Sequence, residues 1–218
     1  MLARLSGLRL LTTCAALAFS GAAAVAADPG YAATARPRAE KIVVTLALAD
    51  SAQASRVRDL VAGQYQALHD LHARRDAALA SAGADESAQV RAETGKDLAR
   101  LHSAFLRALG DELAQDQIDR IKDGMTYGVM PVTLRVYHDM FPRLTAEQRE
   151  RIRSWLEDAR EEAMDAGTSR EKHAVFGRYK GRINNFLSAA GYDLKQAERD
   201  LARRRQAQEA APAPAKSP

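Results

Sequence analysis

The sequence of 218 residues holds one cysteine, Cys14, so no intramolecular disulfide braces the chain. It also lacks the run of about twenty strongly apolar residues that a spanning helix requires. Its most apolar stretch, Leu10 to Phe19, is short and Ala-rich, is interrupted by Thr12 and Thr13, and is followed by Ser20 and Gly21. Absent too are a Gly-x-Ser-x-Gly elbow, a phosphate loop of the Walker type and any complete metal-ligand spacing. Neither sign of charge dominates: Lys and Arg alternate with Asp and Glu to a net +4, the mark of solvated helix faces. That balance gives no case for a nucleic-acid partner.

What is present first is a leader. Arg4 and Arg9 precede the apolar stretch, and Ala24-Val25-Ala26 before Ala27-Asp28 is a small-residue cleavage box, so residues 1–26 read as a signal peptide. Lipidation is disfavoured, because Thr13 is bulky for the position before a lipidated cysteine and Cys14 sits inside the apolar region. Cleavage removes Cys14 and with it any thiol nucleophile. It also removes Arg4 and Arg9, lowering the charge by two to +2. The roughly 190 residues left are enough for one domain with a sizeable core. The expected destination is the periplasm or the exterior, with no stable membrane anchor after cleavage.

Residues 27–38 read as a flexible lead-in, 39–200 as an all-helical domain and 201–218 as a disordered Ala/Pro-rich tail. Lys41 to Ala49 suits a strand by its β-branched residues and a helix by its Ala and Leu; helix is preferred because every other segment looks helical. Asp50 with Gln53, Thr145 with Gln148 and Thr168 with Glu171 are cap signals that open three helices. Gly124 reads as a C-cap, and Pro131 and Pro142 bracket a further helix. Helices are expected over about 50–82, 87–113, 115–123, 131–142, 145–167 and 168–191. The fold class is all-α, a single-domain bundle of about six helices. Gln53, Gln117 and Gln148 share the pattern Gln-x-x-Arg-(Ile/Val)-(Arg/Lys), best explained as repeated use of one good helix start.

The segment from Lys172 to Asp193 has the most unusual mixture. Phe176, Tyr179, Ile183, Phe186, Leu187 and Ala190 fall on one apolar arc, and Gly177, Gly181, Asn185 and Ser188 form a small or polar stripe that would let another backbone approach. Lys172, His173, Tyr179, Lys180, Arg182, Asn184, Asn185 and Tyr192 are the candidate ligand-binding residues. Amides and cations bond hydroxyls in pairs and an aromatic ring covers the apolar face of a pyranose, so the mixture suits a sugar. On residue types alone, helix packing and solvated cations explain the segment more simply. His69 and His72, three apart, have no third and fourth ligand at a recognised spacing, so no metal is assigned. His102, beside Leu98 and Phe105, reads as a hydrogen-bonded core histidine. Glu157, Asp158, Glu161, Glu162 and Asp165 read as the outer face of their helix, and no two carboxylates stand out as a catalytic pair.

Lys122-Asp-Gly-Met-Thr-Tyr-Gly-Val-Met-Pro-Val-Thr, Glu157-Asp-Ala-Arg-Glu-Glu-Ala-Met-Asp-Ala-Gly, and above all Lys172-His with Phe176-Gly-Arg-Tyr-Lys-Gly-Arg-Ile-Asn-Asn resemble an exported bacterial family, domain-of-unknown-function family 3826. The similarity runs from about Ile42 to Leu194. Members of that family are described as sugar-binding and tend to accompany carbohydrate-degradation genes. The resemblance therefore implies a non-catalytic carbohydrate-binding or carbohydrate-utilisation role, with an oligosaccharide as partner and no cofactor. A second resemblance competes: Leu144-Thr-Ala-Glu-Gln148 matches the LTxxQ signature of small helical periplasmic stress chaperones, although it is also a capping box. That alternative implies broad binding to unfolded clients through an exposed apolar face.

Overall fold

In a computed structural model that describes residues 29–210, the chain is helical throughout, and no strand occurs among the described residues. The leader expected over residues 1–26 and residues 211–218 of the tail lie outside the described residues. Among the described residues there are eight α-helices where about six were expected: α1 (Pro29–Val43), α2 (Ser51–Ser81), α3 (Ala84–Gly110), α4 (Gln115–Met125), α5 (Val129–Met140), α6 (Ala146–Met164), α7 (Ser169–Ala189) and α8 (Leu194–Ala210). A 3-10 turn, Val44–Leu46, follows α1.

The cap signals set the helix starts. Asp50 accepts from the Ala52 N–H at 2.8 Å, and Thr145 and Thr168 each accept from the backbone three residues on, in full capping boxes. The Gln repeat resolves into two uses. Gln117 and Gln148 bond back to the Ala114 and Thr145 N–H groups, whereas Gln53 donates across to the Glu112 carbonyl. In all three copies the β-branched residue, Val57, Ile121 or Ile152, is fully buried.

Two helices depart from the sequence reading. Residues 29–38, expected as a lead-in, are helical: Ala35, Ala39, Ile42 and Val43 recur on one face, and the two alanines let α1 lie close against α2. At the other end α8 runs to Ala210 although its sequence is mostly charged or polar. It packs on α5 through Ala197 and Leu194, and Arg204 donates to the Asp139 carbonyl at 2.6 Å. So little burial left no apolar periodicity to read.

The core is in two parts. One gathers α1 to α4 around Val57, Val61, Phe105, Leu109, Ile121 and Met125; the other gathers α5 to α8 around Trp155, Leu156, Phe176, Ile183 and Leu187. Helix α6 joins them, since Met164 packs in the first cluster while Ala159 and Ala163 pack in the second.

Gly124 is not the C-cap. It lies inside α4, and a Cβ there would meet Ile42 Cγ2 at 2.7 Å, Cγ1 at 2.9 Å and Cβ at 3.3 Å. A glycine is needed because α1 crosses α4 at this point. Gly177 and Gly181 are the opposite: nothing comes within 4 Å of a Cβ at either, so the small-residue stripe on α7 admits no other backbone of this chain. Gly124→Ala should therefore lose about 1–3 kcal/mol by overpacking, as read by urea denaturation. Gly177→Ala should instead gain about 0.5–1 kcal/mol from backbone entropy. Equal effects at the two positions would contradict this account of the packing.

Candidate functional site

Helix α4 ends in a Schellman motif. The Gly128 N–H bonds to the Asp123 carbonyl at 2.7 Å and the Tyr127 N–H to the Gly124 carbonyl at 3.4 Å, which places Tyr127 at the left-handed position with φ of 60°. Glycine is usual there; a residue with a Cβ costs about 1 kcal/mol. The Tyr127 side chain does not recover that by burial, being 57 % exposed. Strained residues of this kind cluster at ligand-contact surfaces.

Tyr127 borders a cleft of about 440 Å³, within the roughly 300–1,000 Å³ range of small-ligand sites. Helix α1 contributes Tyr31, Arg38, Lys41 and Ile42; α2 contributes Tyr65, Leu68 and His69; Gly124 of α4 forms part of the floor. The α6–α7 turn supplies Ala166, Gly167 and Thr168, and α7 begins the last wall with Ser169 and Lys172. Gly167 is small for a reason, since a Cβ there would lie 2.9 Å from the His72 ring. His72 Nε2 in turn donates to the Asp165 carbonyl at 2.7 Å, fixing the turn against α2. Tyr31 and His69 stack with centroids 4.0 Å apart and planes 4° apart. Burial pushes the Tyr65 hydroxyl up to about 12, so it stays a neutral donor and acceptor.

Of the eight candidate ligand-binding residues, Lys172 alone lines this cleft. It is buried, its Nζ donates to the Ala163 and Met164 carbonyls at 3.0 Å each, and burial lowers its pKa to about 8. His173 is exposed beside it, its Nδ1–H bonded to the Ser169 carbonyl at 2.8 Å and its ring 5.8 Å from that of Tyr127. The other six residues lie elsewhere. Tyr137 donates to Asn184 Oδ1 at 2.7 Å, and Tyr192 donates to Gln148 Oε1 at 2.9 Å, so both pairs tie helices together. Arg182 lies 4.5 Å over the Trp155 ring. Tyr179 packs against the second core cluster, while Lys180 and Asn185 are exposed on α7. The eight side chains do not converge.

The sequence reading missed Tyr31, Arg38, Lys41, Tyr65 and Tyr127 as site residues. It considered His69 only as one of a metal pair. One signal was available: a Tyr-Gly pair directly after α4, inside the Lys122-to-Thr133 run.

A second cluster is ionic. Glu161 and Asp165, expected on the outer face of α6, point inward instead: His102 Nδ1 lies 3.0 Å from Asp165 and its Nε2 3.4 Å from Glu161, while Lys122 Nζ meets Glu161 at 2.9 Å. Buried Arg160 meets Asp119 at 2.8 Å and Asp123 at 3.0 Å. His102 is thus an ion-pair partner joining α3 to α6 and not simply a core histidine. These carboxylates are matched by cations, the arrangement of a structural network and not of an acid/base pair with separated pKa values. Among the described residues no group of three or more His, Cys, Asp or Glu is placed to hold a metal ion.

A family model described as "Protein of unknown function (DUF3826)" matches residues 32–207. The chain belongs to the DUF3826 family. The matched span includes every residue lining the cleft except Tyr31. No curated protein matches this DUF3826 chain.

The bond to Asp165, then that to Glu161, raises the His102 pKa from 6.5 to about 9. The folded chain therefore holds this proton more tightly than the unfolded chain does. The stabilisation is complete below pH 6.5 and is lost as pH rises through about 9. Lys172 has the opposite sign, because burial lowers its pKa from 10.5 to about 8 and stability rises with pH between those values. Comparing wild type with His102→Gln cancels the lysine contribution. Their difference in thermal midpoint should be largest below pH 6.5 and close towards zero above pH 9; a difference that ignores pH would show that His102 is not charged in the fold.

Proposed function

We propose that this chain is an exported, non-catalytic carbohydrate-binding protein of a bacterium, working in the periplasm or outside the cell, with the Tyr31–Tyr65–Tyr127–Lys172 cleft as its site. The observation that carries the reading is Tyr127, an exposed ring held at a left-handed position over a cleft already lined by two tyrosines and a stacked histidine. Tyrosine rings cover the apolar face of a sugar while hydroxyl and ammonium groups bond its hydroxyls. Supporting export are the basic start, apolar stretch and cleavage box of residues 1–26. The resemblance of the α7 motif to a family described as sugar-binding points the same way.

A bound sugar would meet no glycosidase-type pair of carboxylates in this cleft, because neither Asp nor Glu occurs among the described residues that line it. A client-holding chaperone would need a continuous exposed apolar face. Among the described residues, the large apolar side chains most exposed are Val44, Tyr127 and Val132, which stand on the 3-10 turn, the α4–α5 turn and α5. The LTxxQ-like residues serve the fold, with Leu144 buried, Thr145 capping α6 and Gln148 accepting from Tyr192.

Tyr127→Gly separates site from scaffold. The variant relieves the left-handed strain and gives up little burial, so its urea midpoint should hold or rise, by about 1 kcal/mol in stability. The ligand-induced rise in thermal midpoint seen for wild type across an oligosaccharide panel should shrink or vanish. A panel that shifts wild type and variant equally would move the site away from this cleft.

A further inference from the structure

Within the cleft the charges are one-sided. Arg38 and Lys41 of α1 and Lys172 of α7 line it, and among the described residues none of the three is paired with a carboxylate. Other cations of the same region are paired: Arg36 with Asp59, Arg58 with Glu40 and Asp59, and Arg75 with Asp76 and Glu171. The carboxylates closest in effect to Lys172, Asp165 and Glu171, are engaged elsewhere. Asp165 meets His102, and Glu171 accepts from the Thr168 N–H and hydroxyl at 2.8 and 2.9 Å. Among the described residues, Arg38 makes one side-chain hydrogen bond, to the Tyr31 hydroxyl at 3.4 Å.

Lys172 shows how deliberate the arrangement is. An ammonium has three N–H donors, and two of them go to the Ala163 and Met164 carbonyls at the end of α6. The third is left for the cleft that Lys172 lines. A charge buried to this degree and only two-thirds satisfied is unfavourable unless a counter-charge arrives. Thr168 and Ser169 at the start of α7 border the same space, where the helix dipole adds partial positive charge.

Resting on the carbohydrate reading above, we infer that the ligand is an acidic saccharide: its carboxylate or sulfate is held between Arg38, Lys41 and Lys172 while Tyr65 and Tyr127 contact the ring. A neutral sugar would leave the buried Lys172 ammonium without a counter-charge; an anionic one supplies what the cleft lacks. Because Lys172 is buried, its attraction for an anion is screened less than that of a surface cation.

The test is isothermal titration calorimetry of the purified protein with oligogalacturonate and oligoglucuronate, each against its own methyl ester, which keeps the rings and removes the charge. A sulfated oligosaccharide, a neutral oligosaccharide and sodium sulfate complete the set. The acid forms should bind at least about tenfold more tightly than the esters. The preference should fall between about 0.1 M and 1 M salt as the screening length drops from about 10 to 3 Å. Arg38→Gln and Lys41→Gln change exposed side chains, so folding is not at stake, and each should abolish most of the preference; Lys172→Gln is scored only if its unfolding midpoint is retained. Tight binding of the sulfated sugar in place of the uronates would assign the anion as sulfate within the same proposal. Acid and ester bound alike, with binding lost in Tyr127→Gly, would overturn the anionic inference and leave carbohydrate binding standing. Sodium sulfate bound without any saccharide, or no binding at all, would overturn both.

Discussion

The ammonium of Lys172 is the interaction on which the other parts of the molecule converge. Its two bonds go to the Ala163 and Met164 carbonyls in the last turn of α6, the first of which also accepts from the Ala166 N–H at 3.3 Å, and they fasten the start of α7 to that end. A cation at a helix C-terminus is also favoured by the macrodipole, which helps offset the cost of burying it. Met164, held at this junction, is the residue of α6 that enters the N-terminal core. One side chain thus connects the two halves of the core and places positive charge in the cleft.

Close approach is the second constraint. Gly124 lets α1 cross α4, and Gly167 lets the α6–α7 turn sit on His72 of α2. Both glycines line the cleft, so the crossings that shape it are also the ones that tolerate no side chain. The glycines of α7 have no such neighbours. The spacing of glycines on a helix does not distinguish these cases, because spacing says which face they share and not whether anything lies opposite.

Tyr127 and the ionic cluster illustrate two ways in which unusual residues arise. The cluster pairs each of its cations, His102, Lys122 and Arg160, with at least one carboxylate among Glu161, Asp165, Asp119 and Asp123 and links α3, α4 and α6, so its perturbed titration belongs to the scaffold. Tyr127 is strained, exposed and beside unbalanced cations, and nothing in the scaffold requires its ring. Perturbation alone would have ranked the histidine above the tyrosine; what separates them is whether neighbouring groups already satisfy the feature.

The chain by itself determined the helical class, the starts of α2, α6 and α7 and the absence of an intramolecular disulfide. These rest on hydrogen bonds and periodicities that span a few residues, so they can be read in one dimension. Two helices escaped that reading: α1, whose buried face is built partly of alanines, and α8, which buries almost nothing. Tertiary structure alone decided the cleft. Tyr31, Tyr65, Tyr127 and Lys172 come from four separate parts of the chain and meet only because α1 packs on α2 and crosses α4, while α6 returns the chain to the same place. The candidate residues of α7 scattered for the same reason: consecutive positions on a helix point in different directions, and only packing selects which of them face a common space.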